Sequence, residues 1–211
     1  MQFGIFSVSD VTTDPTTGRT PDDTERVRAM LTIAKHADQA GLDVFATGEH
    51  HNPPFVASSP TTMLGYLAGV TKDITLSTAT TLITTNDPVR IAEEYAMLQV
   101  ISEGRMDLMM GRGNTGPVYP WFGQDIRQGI PLAIENYALV RRLWTEDVVD
   151  WEGKFRTPLQ GFTATPGPWT ACRRSCGTAR SAAPRSPSRP PTTATGSCTT
   201  TSSGPSATPS R

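Results

Sequence analysis

The chain changes character at Pro166, and that break limits what can fold. Over residues 167–211 there is no Asp, Glu, Lys, Leu, Ile, Val, Met, Phe or Tyr; apart from Trp169 the stretch consists of Arg, Ser, Pro, Thr, Ala, Gly and Cys. Ordering a backbone costs about 1–2 kcal/mol per residue, which buried apolar surface must offset, and this stretch has almost nothing large to bury. The same restricted alphabet is what a GC-rich gene yields when read out of frame. The composition therefore predicts a folded, function-bearing segment over residues 1–166 and a disordered low-complexity tail over residues 167–211 that arises from a change of reading frame.

Charge follows the same division. Residues 1–166 carry 13 Lys plus Arg against 20 Asp plus Glu, a formal net of −7, whereas the tail carries six Arg and no acid. The near-neutral whole is the sum of two unlike segments, so its net charge describes no real surface. Six Arg scattered among Pro and Ser, without interleaved aromatics or a folded frame, do not make a nucleic-acid site, and no nucleic-acid partner is expected. All three cysteines, Cys172, Cys176 and Cys198, lie in the tail. The first two have the spacing of half a zinc site, but the tail has no His and one further Cys, short of four ligands, so no metal is expected. The start, MQFGIFSVSD, lacks the basic flank and apolar length of a signal peptide, and no apolar run approaches about 18 residues. A cytoplasmic protein without a membrane partner is the expectation.

Residues 1–166 read as strands alternating with amphipathic helices. Residues 2–8 form a short apolar strand. A helix starts near Pro21 and Asp22, where Pro suits the first turn and acids suit the positive dipole end. Val27, Met30, Leu31, Ala34 and Ala37 recur at three-four spacing along one face, and Gly41 is a natural stop. A second strand over 42–47 runs into Gly48-Glu49-His50-His51-Asn52-Pro53-Pro54. A helix from Ser59-Pro60 to about Val70 precedes a Thr-rich third strand over 74–82. Pro88 opens a third helix to about Ile101, and a fourth strand over 106–110 leads into Gly111-Arg112-Gly113-Asn114-Thr115-Gly116. After an irregular loop, 130–144 forms a helix and 148–156 a small hairpin turning at Glu152-Gly153. Four strands separated by helices imply parallel crossovers, hence a doubly wound α/β sheet or about half of an eight-stranded barrel. Periodicity does not choose between them. Both place chemistry at the carboxyl ends of the strands, where the Glu-His-His and Gly-Arg-Gly segments fall.

Residues 111–116 match G-x-G-x-x-G as a string. A dinucleotide fingerprint should open a helix that holds a pyrophosphate, but Pro117, Pro120 and Gly123 follow at once, and the strand before it is the fourth rather than the first. The loop still lets backbone N–H groups approach a ligand, with the Arg112 charge beside them. On an ideal strand, either Glu49 and His51 together or His50 alone would face the barrel axis. A pair of ordinary loop histidines is the plain alternative, yet a His at a strand's carboxyl end is the best proton-transfer candidate in the chain.

The series GLDVFATGEHHNPP followed by LSTATTLITTNDPVRIAEEYAMLQVISEGRMDLMMGRGN resembles the bacterial luciferase-like flavin-dependent monooxygenases, and the resemblance runs from residue 1 to about residue 166. Several motifs stand in the family's order and spacing. The resemblance implies the N-terminal half of a TIM (β/α)8 barrel, with reduced FMN at the strand carboxyl ends, dioxygen as co-substrate and a small organic substrate; a deazaflavin in place of FMN stays open. It implies proton transfer by His50 and support of the flavin ring by Ala79 and Thr80, a pair whose peptide bond is often cis in the family. It also implies contact of Arg112, Gly113 and Asn114 with the ring and phosphate arm. A flavin reductase and a homodimer are the implied partners. Gly111 stands where luciferase itself has a reactive Cys, which removes thiol involvement. The family draws much of its phosphate site from beyond the position of Pro166, so this chain is expected to be impaired; a non-catalytic half barrel or binding-only protein is the alternative.

Overall fold

The computed structural model describes residues 1–167. The tail expected over 167–211 lies outside the described residues beyond Gly167, its three cysteines included. Strand β1 (Gly4–Ser7) is followed by helix α1 (Asp23–Gln39), β2 (Val44–Thr47), α2 (Pro60–Val70) and β3 (Thr75–Thr78). Then come β4 (Thr81–Leu82), α3 (Pro88–Ile101), β5 (Met106–Asp107), β6 (Met110–Gly111), the short α4 (Val118–Trp121), a 3-10 turn (Ile126–Gln128) and α5 (Gly129–Thr145). A hairpin of β7 (Val149–Trp151) and β8 (Leu159–Phe162) completes the described chain.

Local chemistry sets the helix starts. Asp22 accepts the Glu25 N–H while the Glu25 carboxylate accepts the Asp22 N–H, a complete capping box that satisfies two otherwise orphaned donors. Asp87 caps α3 by accepting the Val89 N–H, with Pro88 at the first helical position. After α1 the chain turns at Gly41 with φ +77°, a left-handed conformation that costs glycine nothing.

The parallel sheet has the order β1-β2-β3-β5, and β4 pairs with β6 in parallel beyond it. With β3 and β4, and likewise β5 and β6, taken as single interrupted strands, each parallel strand pairs with the next in sequence and the order never reverses. Right-handed crossovers then leave every helix on one face, which is the barrel arrangement; a doubly wound sheet needs a reversal point. The fold is therefore half of a (β/α)8 barrel. Register sorts the side chains: Ile5, Phe45, Leu76 and Met106 form one row against the helices, and Phe6, Ala46, Ser77 and Asp107 form the row on the opposite face. Phe45 and Leu76 pack with Met30, Leu64, Leu67, Ile91 and Leu139 in the buried core, where truncating one Leu to Ala costs about 2–5 kcal/mol. Trp144 donates Nε1–H to the Ala92 carbonyl at 3.0 Å, fastening α5 to α3. No helix among the described residues is long and apolar enough to cross a membrane.

Three departures from the sequence pattern have local causes. The third and fourth strands are each interrupted, at residues 79–80 and 108–109, where the Thr78 hydroxyl bonds both the N–H and the carbonyl of Met109. The hairpin does not turn at Glu152-Gly153. Glu135 of α5 captures the N–H groups of Lys154 and Phe155, so residues 152–158 fold back as a loop and the partner strand begins at Leu159. Asp150 then accepts the Gly161 N–H at 2.6 Å and holds the returning strand.

Candidate active site

At the carboxyl ends of the strands, the chain leaving β2 passes directly into the Glu-His-His segment. Because β2 ends at Thr47, strand alternation does not govern residues 49–51. Glu49, His50 and His51 all border one cavity, contrary to the expectation that His50 and the Glu49–His51 pair exclude each other. His50 donates its backbone N–H to Ala57 at 2.9 Å, and its ring stacks on Phe55 with centroids 4.1 Å apart. Burial pushes its imidazole below the ordinary value, the neighbouring His51 adds to that, and Glu49 opposes both. His50 is thereby biased toward the neutral form.

The opposite side of the cavity comes from the breaks in the third and fourth strands. The Ala79–Thr80 peptide is cis. Ala79 donates its N–H to Thr47 at 2.8 Å, and Thr81 donates to Met109 at 2.9 Å, so residues 79–80 are tied to both neighbouring strands. Gly111 lies directly against Thr80: a Cβ there would collide with the Thr80 side chain. The Arg112 carbonyl accepts from the Thr84 hydroxyl at 2.6 Å and from the Tyr119 hydroxyl at 2.8 Å, which pins the turn leaving β6 from two directions. Gly113 follows with φ +72°, its missing side chain leaving Leu82 in place.

All six residues singled out in the sequence, His50, Ala79, Thr80, Arg112, Gly113 and Asn114, line this one cavity of about 140 Å³. Sequence reasoning gave no role to Glu49, His51, Asn52 or Tyr119, which line it too. Tyr119 sits on a four-residue helix inside a Pro-rich stretch read as irregular, where periodicity carries no signal. Glu49 is 4 % exposed and is fixed from three directions, by Leu82 N–H at 2.8 Å, by Asn86 Nδ2 at 2.8 Å and by His51 Nε2 at 2.9 Å.

Two polar groups at the cavity are left open to a ligand. The Asn52 Oδ1 atom is buried without a hydrogen-bond partner among the described residues, an acceptor able to take a ligand N–H. The Arg112 guanidinium has no ion-pair partner among the described residues. The cavity is smaller than the roughly 300–1,000 Å³ of small-molecule sites.

Fold and site define an α/β half barrel with a polar cavity at its strand carboxyl ends. The chain belongs to the luciferase-like monooxygenase family, whose pattern it matches over residues 1–186. The match continues past Pro166, where the motif resemblance ends. A flavin-dependent trigonelline monooxygenase, oxygenase component, of Acinetobacter baylyi is 32% identical over 189 residues, 82% of this chain and 49% of that protein. The structure of monooxygenase RslO1 from Streptomyces bottropensis superposes with a TM-score of 0.72 at 29% identity, covering 80% of this chain and 50% of that one. The oxygenating constituent of 3,6-diketocamphane monooxygenase from Pseudomonas putida, in complex with FMN, shares the fold with a TM-score of 0.68 at 19% identity, covering 81% and 49%. The chain spans about half the length of these relatives.

Proposed function

We propose that residues 1–166 carry the flavin-facing half of an oxygenase that uses reduced FMN and dioxygen to oxygenate a small organic substrate. The observation that supports this most is the convergence of the six residues on one cavity, drawn from three separate stretches of sequence. The family supplies a flavin-type cofactor, and the name of the Acinetobacter relative points the same way. FMN is the reading we favour; a deazaflavin would meet the same ring-side residues. When bound, the reduced flavin supplies the electrons that activate dioxygen.

The chain's own residues would bind, shield and move protons. Ala79 and Thr80 form a shelf for the ring, with Gly111 allowing its close approach to Gly113 and Asn114. Arg112 offers an uncompensated positive charge, which favours an electron-rich ring or a phosphate arm. His50 would face the ring as a neutral imidazole, able to accept or donate one hydrogen bond.

The same proposal holds that the compositional break at Pro166 is a change of reading frame and that the chain as it stands binds flavin weakly. Each charge-assisted hydrogen bond absent from the phosphate site would cost about 1.5–3 kcal/mol, so the loss of several weakens binding by orders of magnitude. A flavin reductase would supply reduced flavin. A second copy would cover the sheet edges at β1 and β5, where Phe6 is exposed. The test is FMN titration, followed by flavin fluorescence, of this chain and of a chain continued after codon 166 in the frame that restores a βα pattern. Tight binding only by the continued chain is expected. Tight binding by the present chain would contradict the assignment of the tail, and no binding by either would remove the flavin reading.

A further inference from the structure

Near the start of α1, Arg26 reaches back to the end of β1. Its half-buried side chain donates Nε–H to the Asp10 carbonyl at 2.7 Å, and Nη2–H to the Ser7 hydroxyl at 3.1 Å and to Asp10 Oδ1 at 3.3 Å. The Ser7 hydroxyl also accepts the Ser9 N–H at 3.1 Å. Between these anchors Ser9 is fully buried with φ +57°, a left-handed conformation that a residue with a side chain keeps only where its surroundings impose it. Arg26 spans this turn from Ser7 to Asp10.

The turn holds the segment that follows the Glu-His-His triplet. Asp10 and Phe55 form an isolated antiparallel bridge, in which Val11 donates its N–H to the Pro54 carbonyl at 2.8 Å and Val56 donates to the Ser9 carbonyl at 3.0 Å. Phe55 carries the ring on which the His50 imidazole lies, with planes 23° and centroids 4.1 Å apart. The same imidazole folds against Gly48, where a Cβ would stand 3.4 Å from Nε2. It makes no side-chain hydrogen bond among the described residues, so packing alone sets its direction. A misplacement of about 1 Å at a reacting group can cost on the order of a hundredfold in rate, so whatever holds Phe55 bears on chemistry at His50.

Resting on the flavin-oxygenase reading, in which His50 faces the ring, we propose that Arg26 is a positioning residue for His50 and acts through the Asp10–Phe55 bridge. Arg26 itself does not border the cavity. It closes the turn over residues 7–10, the backbone of Ser9 and Val11 fixes residues 54 and 56, and the Phe55 ring is thereby held flat against the imidazole. A guanidinium suits this task, because its planar fork reaches a carbonyl, a hydroxyl and a carboxylate in one geometry. The titratable groups around His50 are Glu49 and His51 on its own segment and Arg112 and Tyr119 across the cavity. Arg26 and Asp10 offset each other's charge at the bridge.

The test uses the whole chain labelled with 13C- and 15N-histidine and needs no flavin, so its failure and that of the flavin reading are distinguishable. In the native chain the ring current of Phe55 should displace the His50 ring protons upfield, and the His50 titration midpoint should lie below the ordinary value. Arg26→Ala should remove most of the upfield displacement and move the midpoint upward as water reaches the ring. Arg26→Lys keeps the charge but not the fork, and should show both changes to a smaller extent. Arg105→Ala, which removes a similar set of backbone contacts at the opposite end of the strands, should show neither. His50 signals unmoved in Arg26→Ala overturn the proposal. Changes that vanish in Arg26→Lys overturn it as a field effect, and equal changes in Arg105→Ala overturn it as general loosening. If Arg26→Ala does not fold, Arg26→Lys decides on the same two signals.

Discussion

At the amino ends of the strands, Arg105 donates to the carbonyls of Ala68, Thr71 and Ile74 and to the Thr71 hydroxyl, while Asp38 accepts the N–H groups of Lys72, Asp73 and Ile74. At the carboxyl ends, Arg112 has no ion-pair partner among the described residues, and Asn52 keeps a buried oxygen unpartnered. The same residue types thus serve two ends differently. Charges fully consumed by orphaned backbone groups tie α1, α2 and β3 together; polar groups left open around a cavity are available to a ligand. In barrels of this kind, chemistry gathers at the carboxyl face and stability at the other. At the carboxyl end, the saturated carboxylate of Glu49 secures the segment that carries the two histidines.

Removing the largest saturated charge should hurt folding and leave the cavity alone. Arg105→Ala orphans the carbonyls at the end of α2 and is expected to cost about 3 kcal/mol or more, read as a lower urea midpoint. The His50 and His51 ring signals should be unmoved below the transition. A shift of those signals would show that the two ends are coupled.

Gly111→Ala should do the converse. The new Cβ must displace Thr80, so the shelf at residues 79–80 moves at a cost of roughly 1–3 kcal/mol in stability. Any FMN-induced spectral change should be lost with it. Retained FMN response in a folded Gly111→Ala protein would argue against the shelf.

How far these features were legible in the sequence depended on how local their causes are. Asp22 and Pro88 announced their helices because capping is decided within four residues. The six cavity residues were legible through motif order, since they follow strand ends. The hairpin was misplaced because its register depends on Glu135, about 20 residues earlier in the chain, and on a strand, Leu159–Phe162, containing Gly161 at φ +57°. Glu49 and His51 were placed together on one face, but the anchoring of Glu49 was not legible, because its partners Leu82 and Asn86 are distant in sequence. The alternation rule also does not reach beyond Thr47.

Two pH effects sharpen the contrast further. For Asp38, burial alone would raise the pKa, but the backbone donors Asp73, Ile74 and Lys72, with the Arg105 charge, outweigh it and hold the carboxyl below its ordinary value. A depressed acid contributes stability above its unfolded pKa, near 3.9, that is lost as pH falls toward the folded value. Asp38→Asn should therefore lose about 1–2 kcal/mol at neutral pH and show a flatter decline below about pH 4. For His50 the folded pKa is also depressed, so the unfolded chain binds the proton more readily, and stability falls as pH drops below about 6.5. His50→Gln should flatten that smaller decline between about pH 7 and pH 5, measured by urea unfolding at both; an unchanged slope would show that His50 is not held neutral.

The most direct measurement is FMN added up to about 1 mM to the 15N-labelled chain, a range in which even a weak site is visible. Shifts confined to residues 49–52, 79–85 and 111–115, with Asp38 and Arg105 unmoved, are the predicted result. Shifts centred on the amino ends, or none at all, would contradict a flavin-facing wall at the strand carboxyl ends.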